Sequence, residues 1–237
     1  MSRHKAIFIS ASIPAPSELE AGLPPVDATA VRDALIACIA IILAHTNYHI
    51  VWGGHPSITS LISYILRSEL NINLAAETLS ETELAIKERF HLYQSKHFTA
   101  DERPADNRFF NTILTEKKID LKSSLTHMRE TMLAPESHDI VLGVFLGGRQ
   151  KGLSEEIQIL LRQQPNTLIL PVATTGGYSA IVHTSQTSWC NKGILQEFFA
   201  KDEQSSDIIK LCSSYRYYSL FRSALSFFDQ TGLYKQI

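Results

Sequence analysis

The stretch VFLGGRQKGLSEE, residues 144–156, runs an apolar strand into Gly147 and Gly148, then into Arg149 and Lys151, and closes on Glu155 and Glu156. Glycines let a ligand approach the backbone closely, and a following helix start favours negative charge. The chemistry this pattern serves is the holding of a phosphate, with Arg149 and Lys151 beside it. Three other predicted strands end in residues of the same kind: Ser10 and Ser12 after FI, Gly53, Gly54 and His55 in GGHP, and Thr175, Gly176 and Gly177 in TTGG. In an open parallel sheet such ends converge on one edge, where ligands bind.

Arg129 stands out on its own helix. Leu125, Met132 and Leu133 are its neighbours at helical spacing, so the guanidinium lies on an apolar stripe and points inward. A partly buried ion pair with an acid such as Glu156 and a contact to a ligand are both open to it, and an Arg can make the two together. His55, between glycine and proline, can donate to a ligand or serve as a polar filler. Tyr93, Gln94, Phe98, Tyr178 and Trp189 are candidates for contact with a base, although aromatics of this kind mostly build cores. No GxxxxGK followed by Ser or Thr, GxGxxG, GxSxG, HExxH or paired Cys/His ligand set occurs. That disfavours P-loop, standard dinucleotide, serine-hydrolase and zinc chemistry, and no metal or cofactor is expected.

The elements that must position these residues follow from pattern. AIFIS (6–10), YHIVW (48–52), IVLGVFL (140–146) and TLILPV (167–172) read as buried strands, because short continuous apolar runs suit a parallel sheet covered on both faces. Between the first two lies an amphipathic helix carrying Val31, Leu35, Cys38, Ile39, Ile42 and Leu43 on one stripe, with Asp27 as its N-cap. Further helices are predicted over about residues 57–69, through Leu121, Leu125, Met128 and Met132, and from near Gly152 or Ser154 to Pro165. Residues 13–26, rich in proline, form a loop. Residues 71–120 read as a loop insertion over the site, with ERFHLYQS a candidate strand inside it, and residues 207–228 as one long helix packing on the sheet or on a partner chain. The expected fold is α/β, a Rossmann-like doubly wound and mainly parallel sheet with helices on both faces and a C-terminal helix, in a single domain over 1–237.

Bulk properties bound the function. With 237 residues, 44% hydrophobic and 19% charged, the chain can build a full core. A net charge of -2 and the lack of a basic block argue against nucleic acid or an anionic membrane as partner. Cys38, Cys190 and Cys212 are widely spaced, without a CxxC pair, and fit a reducing cytoplasm. AIFIS is too short for a signal-peptide core, and the longest apolar helix carries Arg32 and Asp33, so a cytoplasmic protein is expected.

The ordered set FISAS, VWGGHPSIT, SLTHMRETML, GVFLGGRQKGLSEE, LPVATTGG and YRYYSLF resembles the SLOG superfamily of Rossmannoid domains, over nearly the whole chain. Within it the chain is most similar to the branch associated with sirtuin-type and TIR proteins in bacterial antiviral defence. The resemblance implies binding of a nucleotide or nucleotide-derived signal at the glycine-rich strand ends. In Thoeris defence systems a domain of this kind senses a cyclic ADP-ribose isomer and switches an NAD-consuming domain. An NAD-consuming effector as partner and a homo-oligomer are therefore expected. The superfamily also includes the LOG phosphoribohydrolases, which cleave the N-glycosidic bond of a nucleotide. By that resemblance Arg129 and Glu156 are the catalytic pair, and Gly147, Gly148 and Gly152 are the loop glycines. The chain departs from that pattern in having Arg149 to Lys151 between the glycines and Leu153 where a phosphate-binding Thr is expected.

Overall fold

The computed structural model describes residues 4–185, 208 and 210–229. Six strands form one sheet in the order β4-β3-β2-β1-β5-β6, every neighbouring pair parallel. They are β1 (Lys5–Ser12), β2 (His49–Gly53), β3 (Phe90–Ser95), β4 (Asn111–Thr115), β5 (Asp139–Gly147) and β6 (Leu168–Val172). The helices between them are α1 (Ala28–His45), α2 (Pro56–Tyr64), α3 (Glu81–Lys87), α4 (Leu121–Leu133), α5 (Gln150–Gln163) and α6 (Gly177–Thr184), followed by α7 (Tyr217–Asp229). This is the doubly wound α/β architecture expected, with the sheet wholly parallel. The chain leaves β1 toward β2 and later returns to β5 on the other side. The crevice between the carboxyl ends of β1 and β5 is thus the point where strand order reverses.

The central strands are apolar because both faces are covered. Ala6 to Ile9, Ile50 to Trp52 and Leu142 to Leu146 are buried throughout. Edge-on aromatic contacts tie the layers together, Phe8 to Phe145 and Trp52 to Phe90 and Phe110. Asp27 caps α1 as expected, accepting from the Ala30 N–H at 3.0 Å. Helix α1 has 18 residues and the hydropathy of a membrane span, but its apolar side chains from Ala30 to Ile42 are packed into the core, against β5 and α7.

Three expectations on element boundaries are corrected. Residues 71–120 are not a loop insertion: they hold α3, β3 and β4, the two strands extending the sheet to its edge. Their pattern hid them because β3 buries Gln94 and Ser95 among its apolar residues, while β4 is largely half-buried or exposed. Helix α5 starts at Gln150 rather than near Gly152 or Ser154. Its first N–H groups, those of Gln150 and Lys151, donate to the Glu20 carboxylate at 3.2 and 3.3 Å, a cap supplied from a distant loop. The C-terminal helix is not continuous over 207–228. The N–H groups of Ser213 and Ser214 turn back to the carbonyls of Lys210 and Leu211, and α7 begins afresh at Tyr217. Serines compete with helical hydrogen bonding and favour such turns.

Candidate functional site

A cavity of about 340 Å³ opens at the carboxyl ends of β1, β2 and β3, beside the start of α5. That lies within the range of small-molecule sites. Ser10 and Ser12 from β1, Gly53, Gly54 and His55 after β2, Arg129 from α4, and Arg149 and Glu156 at the start of α5 all line it. Sequence reading named each of these, and the fold brings them to one place.

Arg129 is the hub of the polar wall. Its Nη1 donates to Glu155 Oε2 at 2.9 Å and its Nε to Glu156 Oε1 at 3.2 Å, with side-chain exposures of 14% for Arg129, 27% for Glu155 and 15% for Glu156. The other oxygens of the two acids are held as well: Thr126 donates to Glu155, and Ser10 Oγ donates to Glu156 Oε2 at 2.5 Å. One guanidinium thus meets two carboxylates in a partly buried network, where removing a single partner is costly. Glu156 is fixed from β1 and α4 at once. Arg149, in contrast, is exposed at the N-cap of α5 and makes no ion pair among the described residues. Of the two arginines that line the cavity, it is the one without an ion pair among the described residues. His55 is at the mouth, its Nδ1 2.9 Å from Ser57 Oγ. Surrounding protein lowers its pKa, the nearby Arg149 charge adds to that, and Glu156 and Glu18 oppose it.

The glycine turns serve differently from the expectation. Both Gly147 and Gly148 have positive φ, +60° and +82°, so glycine is needed there. Their N–H groups, however, are taken within the protein: Gly147 donates to Thr175 Oγ1 at 2.8 Å and Gly148 to the Ser12 carbonyl at 3.1 Å. A side chain at Gly148 would strike Leu153 Cδ1 at 2.2 Å. Neither glycine lines the cavity. The GGHP amides are likewise engaged, Gly54 N–H with the Tyr93 carbonyl and His55 N–H with that of Gly53.

Thr175, Gly176 and Gly177 lie under this turn rather than on the cavity. The Thr175 carbonyl accepts from Asp27 N–H, Gly177 N–H donates to the Pro24 carbonyl, and a Cβ at Gly176 would fall 1.9 Å from the Pro25 carbonyl oxygen. They anchor the 24–27 segment. Lys151 is exposed, outside the lining, with its backbone N–H on Glu20. Among the aromatic and amide candidates, Gln94 and Phe98 line the cavity, Tyr93 bonds His138 at 3.0 Å instead, Tyr178 is buried beneath the glycine turn, and Trp189 falls outside the described residues.

Sequence reasoning missed five contributors. Glu20, in a proline-rich loop, gave no signal of reaching α5. Its burial raises its pKa, but hydrogen bonds from backbone N–H groups, among them those of Lys151 and Gln150, and the Arg149 charge bring it below the usual value. Thr126 was detectable only through its helical neighbour Arg129. Leu121, Leu125 and Met128 read as core, and line the cavity as well.

Two comparisons with known proteins bear on this geometry. No curated protein matches the chain. Residues 24–198 match the model of the SLOG cluster3 family, a span that takes in β2 to β6, Arg129, Glu155 and Glu156, with Ser10, Ser12 and Glu20 before it. By that match the chain belongs to the SLOG cluster3 family, part of a superfamily generally concerned with nucleotide-related signalling.

Proposed function

We propose that this protein is a sensor that binds a phosphorylated, nucleotide-derived signal in the cavity at the carboxyl ends of β1, β2 and β3. The observation that carries the reading is the convergence there of Ser10, Ser12, His55 and Arg149 around an Arg129 guanidinium already engaged by Glu155 and Glu156. A ligand anion would be met by Arg149 and the Ser12 hydroxyl, while Arg129, the two glutamates and Ser10, whose hydroxyl proton goes to Glu156, hold the wall in shape. The start of α5 is the natural seat for negative charge, and Glu20 sits on it. An entering phosphate competes with that carboxylate, so binding is coupled to release of the 13–26 loop, and differential affinity of this kind is what shifts a population. In keeping with the resemblance, the signal is a cyclic ADP-ribose-like molecule in antiviral defence, and the output passes to an NAD-consuming effector or through self-association in the cytoplasm.

Calorimetric titration with AMP, ADP-ribose, cyclic ADP-ribose isomers and ribose 5-phosphate tests this. Wild type is expected to bind at least one of them, and Arg149→Ala to weaken that binding by about tenfold or more, the worth of a charge-assisted hydrogen bond. Absence of heat with every ligand from a folded protein would reject the sensor reading.

One observation favours a second reading, an N-glycosidase. Glu156 is a cavity carboxylate steered by both Ser10 and Arg129, the placement wanted of a group acting on water or ribose. Release of free base from a nucleotide, abolished by Glu156→Gln, would establish it.

A further inference from the structure

The β3 end of the cavity carries a group that the phosphate reading does not use. Gln94 lines the cavity although its residue is only 3% exposed. Its Oε1 accepts from Asn107 Nδ2 at 3.3 Å, and no hydrogen bond from its own amide nitrogen occurs among the described residues. Asn107 is 7% exposed, and its Oδ1 is buried without a partner. A buried primary amide backed by a second amide, with hydrogen-bonding capacity unfilled, is costly unless something polar completes it.

The chain makes room for this amide. A Cβ at Gly54 would lie 2.0 Å from Gln94 Oε1, so any larger residue there displaces Gln94. Gly54 has no positive φ to explain it. Its glycine therefore serves the Gln94 side chain rather than a strained turn. The cavity that Gln94 enters also has an apolar lining, with Ile58, Phe98, Leu121, Leu125 and Met128 in it. From the β1 serines to Gln94 the cavity crosses two strand spacings, roughly 10 Å, which leaves a ribose between the two ends.

We infer that Gln94, oriented by Asn107, reads the edge of a purine base held between these apolar side chains, with adenine preferred. The inference rests on the nucleotide reading above and extends it to the base. A primary amide offers one donor beside one acceptor. That complements adenine, whose 6-amino donor adjoins the N7 acceptor, and mismatches hypoxanthine, which presents two acceptors on the same edge. A site built to hydrogen-bond a group discriminates against analogues lacking it, because its own buried amide is then left unpaired.

The test compares AMP, IMP and ribose 5-phosphate on wild type, Gln94→Leu and Gly54→Ala by calorimetric titration, with thermal melts to establish folding. Wild type is expected to bind AMP about tenfold or more tightly than IMP. Gln94→Leu is expected to bring the two within about threefold while leaving ribose 5-phosphate binding as it was, and Gly54→Ala to do the same by pushing Gln94 aside. An unchanged AMP preference in folded Gln94→Leu would overturn the base assignment and leave the phosphate reading standing. Failure of wild type to bind any of the three would overturn both. If Gln94→Leu does not fold, Gly54→Ala carries the comparison by the same criterion.

Discussion

Glu20 shows how a single side chain changes what a motif does. The glycines, cations and acids of residues 147–156 suggested an anion site by residue type, and of the residues named there only Arg149, Gly152 and Glu156 line the cavity. The carboxylate that fills the start of α5 comes from a loop 130 residues earlier, and no local spacing signals a contact of that length. The same limit applies to Gly147 and Gly148. Their need for positive φ was legible, whereas the partners of their N–H groups, Thr175 and Ser12, are set by tertiary packing. Arg129 was legible because a cation on an apolar helical stripe must find an internal partner, and Glu155 and Glu156 supply it. If Glu20 competes with the ligand, Glu20→Gln removes the competing charge and also weakens the cap. Stability is expected to fall by about 0.5–1 kcal/mol, measured by urea unfolding, while affinity for ribose 5-phosphate rises severalfold. Equal affinity in the two proteins would show that the carboxylate does not stand in the ligand's way.

At the scale of elements, the strands carry a second polar cluster at the end opposite the cavity. His4 stacks on His49 at 4.3 Å between ring centroids, His49 Nδ1 lies 2.7 Å from His91 Nε2, and His91 abuts His138, which bonds the Tyr93 hydroxyl. These residues sit at or beside the starts of β1, β2, β3 and β5. Sequence reading gave them no place, since each histidine is alone in its own segment and only strand order 3-2-1-5 brings them together. Burial, then the neighbouring histidines and Arg89, lower the pKa of His49 to about 3, and burial with His91 and His4 lowers that of His138 to about 4. A histidine with a depressed pKa contributes stability that is complete above its unfolded value near 6.5 and is lost as pH falls toward the folded value. Because His4 is exposed and His49 only half-buried, solvent screening reduces the effect. The stability lost between pH 7 and pH 4.5 is expected to be on the order of 2–4 kcal/mol, read from urea midpoints. His49→Asn should flatten that dependence. A wild-type midpoint no more pH-sensitive than the variant's would remove the cluster from the account.

For the molecule as a whole, the decisive question about the last helix is which surface it serves. Its aromatic and aliphatic pattern was legible as amphipathic, and the choice between sheet and partner chain was not, because a stripe of apolar residues fits either. The structure places α7 against α1, with Tyr217, Leu220, Phe221, Ala224 and Leu225 all buried within the chain and the Tyr217 hydroxyl 2.9 Å from Thr174 Oγ1. That face is already covered, and among the described side chains of α7 and its approach Tyr215 and Tyr218 are the large ones left exposed. The last helix therefore acts as the outer layer over α1, the helix that enters the sheet from β1, and links the end of the chain to the segment around Thr175 under the glycine turn. Leu220→Ala then opens a cavity in a closed core and is expected to cost about 2–5 kcal/mol. Tyr218→Ser, on the exposed side, is expected to stay within about 0.5 kcal/mol of wild type. Urea unfolding measures both, and sedimentation at several concentrations tells packing from assembly. Should Leu220→Ala dissociate an oligomer while the separated chain keeps wild-type stability, the helix would belong to an interface between copies and not to the core of one.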